Sequence, residues 1–281
     1  KRCYYGCMEK LSNKAFSLNN FEQNSLESWE ARKPFILEKD FFELQMEFAK
    51  EIQHKTHEPL LEVIKKRTSD LRLNAFEREG YKMLGLKPGI TEDNIVDRSY
   101  QEYLKTSDED PVEYHPEGST RFGCFYYDQD EKKEKIRIHF FNAEFDSVGP
   151  LDKTKIELRK KEMKDMLGDI KIKYADVQEI SGLSWLYNLP SYKRLFPTNY
   201  IDNLEVNDDP FQWARGTTIW GQFIDNKYHL KKDMADEFMK RIKELSPDQP
   251  LSEIFKKGPP LFAPLSSQGQ LRDFYEMYQI E

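Results

Sequence analysis

Apolar positions recur at helical spacing through the first third of the chain. Phe41, Leu44, Phe48 and Ile52 fall at i, i+3, i+7 and i+11, one face of an amphipathic helix. Upstream, Ser25 or Ser28 fits the cap of a helix carrying Trp29, which Pro34 breaks or restarts. Pro59 suits the first turn of a further helix with Leu60, Ile64, Leu71 and Phe76 along its face, ending before Gly85 and Pro88. Thr91 starts another, with Ile95, Tyr100 and Tyr103 as buried positions, and the acidic residues 107–111 end it.

The period then changes from 3.6 to 2. Residues 121–127 read as a strand, 128–135 as a charged connection and 135–142 as a second strand. In that second strand Ile136, Ile138 and Phe140 alternate with Arg137, His139 and Phe141, so the pair predicts a hairpin. Asp152 or Thr154 caps the next helix, Thr154 with Glu157 fitting a capping box, and Gly168 marks its end. Residues 177–180 and 215–224 read as strands, and Met234, Phe238, Ile242 and Leu245 mark a last amphipathic helix. Beyond Ser246 the prolines Pro247, Pro250, Pro259, Pro260 and Pro264 predict a tail with one short helix carrying Leu271, Tyr275 and Tyr278. The expected fold class is α+β (mixed α/β). It comprises a mostly helical region over residues 1–110, an α/β domain with the candidate pocket over 111–245, and a Pro-rich C-terminal tail over 246–281.

Composition narrows the functions open to such a fold. The 281 residues include 43 Lys and Arg against 50 Asp and Glu, a net charge of −7, which argues against nucleic acid or an anionic membrane surface as partner. No apolar run is long enough to span a membrane. With 14% Phe, Trp and Tyr the chain has the material for a packed core. Its three cysteines, Cys3, Cys7 and Cys124, cannot close a disulfide framework. The first residues also lack the apolar core of a signal peptide, so a soluble cytoplasmic protein is expected. Cys3 and Cys7 have no second Cys/His pair nearby, and His54 and His57 lie outside any metalloprotease pattern, so no metal site is expected.

Candidate chemistry concentrates in two stretches. Residues 181–197 run from the end of a predicted strand through Ser184, Trp185, Tyr187 and Asn188, and pockets in sheet proteins often lie beyond the carboxyl ends of strands. Residues 211–225 add Trp220, with Gly221 suggesting a bulge or a close approach of another backbone. Ser184 is not in a G-x-S-x-G elbow, which argues against a serine hydrolase. His139, on a strand beside Arg137, is the histidine placed to titrate near a cleft. Packing is the competing account of all of these residues.

Ile136-Arg-Ile-His-Phe140, Gly149-Pro-Leu151, Ser184-Trp-Leu-Tyr-Asn188, Leu195-Phe-Pro197 and Trp220-Gly-Gln-Phe-Ile224 together resemble a bacterial protein family without an assigned activity. More distantly, their order resembles the C-terminal part of acyltransferase-like proteins of the GNAT type. That resemblance implies a mixed sheet binding an acyl-CoA or another small acyl donor. Under it His139 or Tyr187 moves the proton, Asn188 or backbone polarises the carbonyl, and Arg121, Ser184, Trp185 and Trp220 bind the ligand. The R/Q-x-x-G-x-G/A loop that cradles the CoA pyrophosphate is missing here. The second reading is a non-catalytic interaction protein whose C-terminal tail docks on a protein partner or a second copy of the chain.

Overall fold

The computed structural model describes residues 36–79, 82–106, 121–130, 132, 134–144, 148–206, 208–213, 217–225 and 227–281. All of them lie in one compact unit, Phe35–Glu281. The expected helix over Trp29, the acidic boundary at 107–111, His115 and the Cys3–Cys7 pair fall outside the described residues.

Helix α1 (Lys39–Thr56) forms where the apolar stripe predicts it, and Phe41, Leu44, Phe48 and Ile52 are all buried. The single helix expected after Pro59 is instead two short ones, α2 (Leu60–Arg67) and α3 (Asp70–Ala75). A hairpin of β1 (Phe76–Glu79) and β2 (Lys82–Leu86) follows them. The break has a local cause. The buried Gln45 side chain accepts hydrogen bonds from the backbone N–H groups of Ser69 (2.8 Å) and Leu71 (3.2 Å), donors that a continuous helix would spend on its own carbonyls. Helix α4 (Ile95–Thr106) starts just beyond a capping box of Thr91 and Asn94.

Strands β3 (Arg121–Phe122), β4 (Phe125–Gln129) and β5 (Lys135–Phe140) form an antiparallel meander. Helix α5 (Ile156–Lys173) then carries the chain across to β6 (Glu179–Ser184), which runs parallel to β5. Asp152, through Thr154 N, caps the 3-10 turn that leads into α5. Gly168 does not end this helix, because Met163, Met166, Leu167 and Ile170 bury a face on both sides of it and hold it helical through Lys173. After β6 come a 3-10 turn (Trp185–Asn188), α6 (Pro190–Lys193), α7 (Thr198–Asp202) and β7 (Glu205–Val206). Next are α8 (Pro210–Trp213), α9 (Thr217–Trp220), a 3-10 turn (Gly221–Phe223), α10 (Lys232–Glu244), α11 (Glu253–Lys256), β8 (Leu265–Gln270) and α12 (Leu271–Tyr278).

Two expectations are corrected here. Of the strand expected over 215–224, residues 217–223 are helical and Ile224 is extended, bridging to Leu230. Ile219, Trp220 and Phe223 all enter one core, which a helical turn allows and strict alternation does not. The expected tail contains the predicted short helix as α12, but it also supplies a strand from inside the sheet, whose order is β3-β4-β5-β6-β8-β7. Strand β8 pairs with β6 from Glu179↔Gln270 to Ser184↔Leu265, and β7 lies on its other side. The chain entering β8 is held by the buried Arg241, which donates to the carbonyls of Ile254 (2.9 Å), Gly258 (2.8 Å) and Pro259 (3.2 Å).

The buried residues fall into two clusters. In one, Phe48 of α1 packs against Phe211, Trp220 and Phe238 at ring separations of 4.7, 5.3 and 5.5 Å. The early helices and residues 210–261 therefore share a core, and the expected division into a 1–110 region and a 111–245 domain does not follow the packing. The other cluster lies on one face of the large sheet. Ile136, Ile138 and Ile180 meet α5, α12 and the aromatic group Tyr187, Tyr192, Phe196 and Tyr200. Gly182 is required there: a Cβ on it would lie 2.3 Å from the Tyr187 hydroxyl and 2.9 Å from that of Tyr200. Gly182→Ala is expected to cost about 1–3 kcal/mol through overpacking. Gly168→Ala, with open space around its Cβ, is expected to gain about 0.5–1 kcal/mol in the helix. Urea midpoints moving in opposite directions check both.

Candidate functional site

Strands β5 and β6 are the one parallel pair of the large sheet. Their ladder joins Lys135–Ile138 to Glu179–Gly182 and goes no further, although β5 continues to Phe140 and β6 to Ser184. Beyond that point each strand stays with its antiparallel neighbour, Phe140 opposite Phe125 of β4 and Ser184 opposite Leu265 of β8. The sheet therefore opens between its central strands at their carboxyl ends. Ser184 helps turn β6 aside, its Oγ accepting from Leu186 N at 3.1 Å to start the Trp185–Asn188 turn. The bonds Asp130 N→Lys135 O and Phe141 N→Cys124 O show that odd-numbered residues of β5 turn their backbone groups toward β4. Phe140 therefore points its N–H and C=O into the opening.

Alternation places two different chemistries on the two faces of these strands. Phe125, Tyr127, Ile136, Ile138, Phe140, Ile180 and Gly182 face the aromatic cluster, and Phe140 closes that side against Tyr192 at 5.4 Å. Arg121, Tyr126, Asp128, Arg137 and His139 occupy the opposite face, in register across β3, β4 and β5. On it the Arg137 guanidinium donates to both oxygens of Asp128, at 2.7 and 2.8 Å. His139 Nε2 lies 3.1 Å from Asp128 Oδ1, and the His139 ring stacks on Tyr126 at 4.5 Å and 12°. Tyr126 also meets Phe141, over whose ring the Arg121 guanidinium lies at 4.3 Å. Burial opposes ionisation of the Asp128 carboxyl. The hydrogen bonds from His139 and Arg137 outweigh it and hold the carboxyl below the usual carboxylate range. The His139 side chain is 34% exposed, so the cluster is open to a ligand.

The sequence-predicted residues do not all meet. His139 and Arg121 share the open face, in the row Arg121–Tyr126–His139. Tyr187 lies on the other face, fully buried. Its hydroxyl is 3.0 Å from that of Tyr200, and burial drives its pKa well above the ordinary phenol value. It is a packing residue and does not converge with His139. Asn188 commits its amide to the carbonyls of Trp185 (2.7 Å) and Ala263 (2.8 Å), tying the turn to the chain that enters β8. Trp185 is half-buried beside the opening and stacks on Phe262 at 6.1 Å and 13°. Trp220 belongs to the helical core, its indole N–H donating to Arg67 O at 3.0 Å. Two residues of the open face were missed, Asp128 and Tyr126. The signal for both was the hairpin register, which sets Asp128 opposite Arg137 and Tyr126 opposite His139.

Other features of the surface lie away from this cluster. A depression of about 590 Å³ is lined by Lys50, His54, His57 and Glu58, and one of about 520 Å³ runs between α1 and α10. Among the described residues no group of three or more His, Cys, Asp or Glu is arranged to hold a metal ion, and no helix is long and apolar enough to cross a membrane. No protein-family model matches the chain, nor does any curated protein or solved structure.

The Asp128 contacts carry a pH signature. A carboxyl whose folded pKa is depressed contributes stability that is fully present above its unfolded pKa of about 3.9 and is lost as pH falls through the folded value. The stability difference between wild type and Asp128→Asn is therefore expected to narrow as pH falls below about 4. Urea denaturation across that range measures it.

Proposed function

We propose that this protein binds an acyl thioester at the opening between β5 and β6 and transfers its acyl group to a nucleophile, with His139 as the base. The observation that carries this reading is the parting of the parallel pair β5–β6 at its carboxyl ends, beside an imidazole held by a carboxylate. An extended donor arm bearing amides has backbone partners there, because the Phe140 N–H and C=O point into the gap. The GNAT-type resemblance implies a mixed sheet and an acyl-CoA or another acyl donor.

In the transfer, His139 takes the proton from an attacking amine as its nitrogen forms a bond to the thioester carbonyl carbon. The carbon–sulfur bond then breaks and the thiolate leaves, protonated by solvent. Backbone N–H groups at the opening polarise the carbonyl oxygen, since the Asn188 amide is already engaged. The nucleotide end of a CoA fits less well. Asp152 caps the turn leading into α5 and sets a carboxylate where a helix start would otherwise meet a diphosphate. The thioester and its amide arm are therefore the recognised part of the donor. Tyr187 has no part in this chemistry.

Acetyl-CoA and S-acetylpantetheine are both expected to raise the melting temperature in a concentration-dependent way, stabilising by about 2.7 kcal/mol at a hundredfold excess over Kd. His139→Ala is expected to keep that shift and lose transfer to an amine. The absence of a shift with either thioester overturns the proposal.

A further inference from the structure

We propose that Asp128 and Arg137 are positioning residues that hold His139 in the tautomer protonated on Nε2, which leaves Nδ1 as the basic nitrogen. This role rests on His139 acting as the base of the proposed transfer. An ionised carboxylate offers only lone pairs and a guanidinium only N–H groups. Asp128 therefore accepts from Arg137 at 2.7 and 2.8 Å, and its contact with His139 Nε2 at 3.1 Å needs a hydrogen on that nitrogen. A neutral imidazole carries one N–H, so its lone pair sits on Nδ1. Tyr126, stacked on the ring at 4.5 Å, fixes its plane.

The Arg137 guanidinium fork grips the Asp128 carboxylate by both oxygens and so holds Oδ1 against Nε2. Of the other charged groups on this face, Lys135 and Glu179 both engage Gln268, and Arg121 lies over Phe141.

The test is two-bond ¹H–¹⁵N NMR of the His139 ring in the full chain without donor, assigned with His139→Gln. The wild type is expected to carry its proton on Nε2 almost exclusively, beyond the excess an unconstrained imidazole already shows, and Asp128→Ala to return it to that ordinary excess. Arg137→Gln, which frees the carboxylate to turn, is expected to reduce the wild-type excess on Nε2. A wild-type ring no more protonated on Nε2 than an unconstrained imidazole overturns the proposal, and that measurement depends on no variant folding. An unchanged excess on Nε2 in a folded Arg137→Gln removes the role of Arg137. The outcome is separable from donor binding: a ring protonated on Nε2 in a protein that binds no thioester keeps the positioning and removes the transfer.

Discussion

Strands β5 and β6 each have two neighbours to satisfy, and the two demands conflict at their carboxyl ends. Helix α5 returns the chain to the same edge from which β5 began, so β6 must run parallel to it. On their outer sides both strands meet antiparallel partners, and those ladders run to the last residue of each strand. Antiparallel pairing is the more stable per residue, so where the strands diverge it is the parallel ladder that stops. The opening, the Phe140 backbone beyond the end of the ladder and the position of His139 beside it all follow from that competition.

The two sides of the opening are built for different purposes. On one, Gly182 lets the hydroxyls of Tyr187 and Tyr200 close against β6, and Tyr200 reaches on to Ser267 O at 3.4 Å, so this side is fixed packing. On the other, polar and aromatic side chains stand on an open sheet face, and Asp128 gathers both Arg137 and His139. The helical core reaches this face through Leu183, which packs against it. The chain entering β8 is bound at three points, by Arg241, by Asn188 and by Gln222, whose amide exchanges two hydrogen bonds with the Phe262 backbone at 2.9 and 3.0 Å. A Pro-rich segment that reads as a loose end is thereby part of the frame around the opening.

The α+β class, the amphipathic helices α1 and α10 and the β4–β5 hairpin were legible in the sequence, because each buries one face and its period is regular. The break after Arg67 was not, since it depends on Gln45 reaching from another helix. Nor was the helical state of residues 217–223, where local alternation imitates a strand and only the shared core of Ile219, Trp220 and Phe223 decides otherwise. The strand β8 was hidden by the prolines before it and by its polar residues Ser266, Ser267, Gln268 and Gln270, none of which advertises a place inside a sheet. At the site, His139 and Arg121 could be named from their strands. Asp128 was hidden in what reads as a charged link, and the burial of Tyr187 depends on contacts that adjacency to Trp185 cannot reveal.

The central claim is that an acyl thioester occupies the gap between the parted strands. Amide hydrogen exchange at single-residue resolution, with and without S-acetylpantetheine, tests it most directly. The account predicts that the Phe140 amide exchanges quickly in the free protein and becomes protected when the thioester is added, while Ile138, already in the ladder, changes little. Protection that leaves Phe140 untouched, or that gathers on the α1–α10 depression instead, would contradict it.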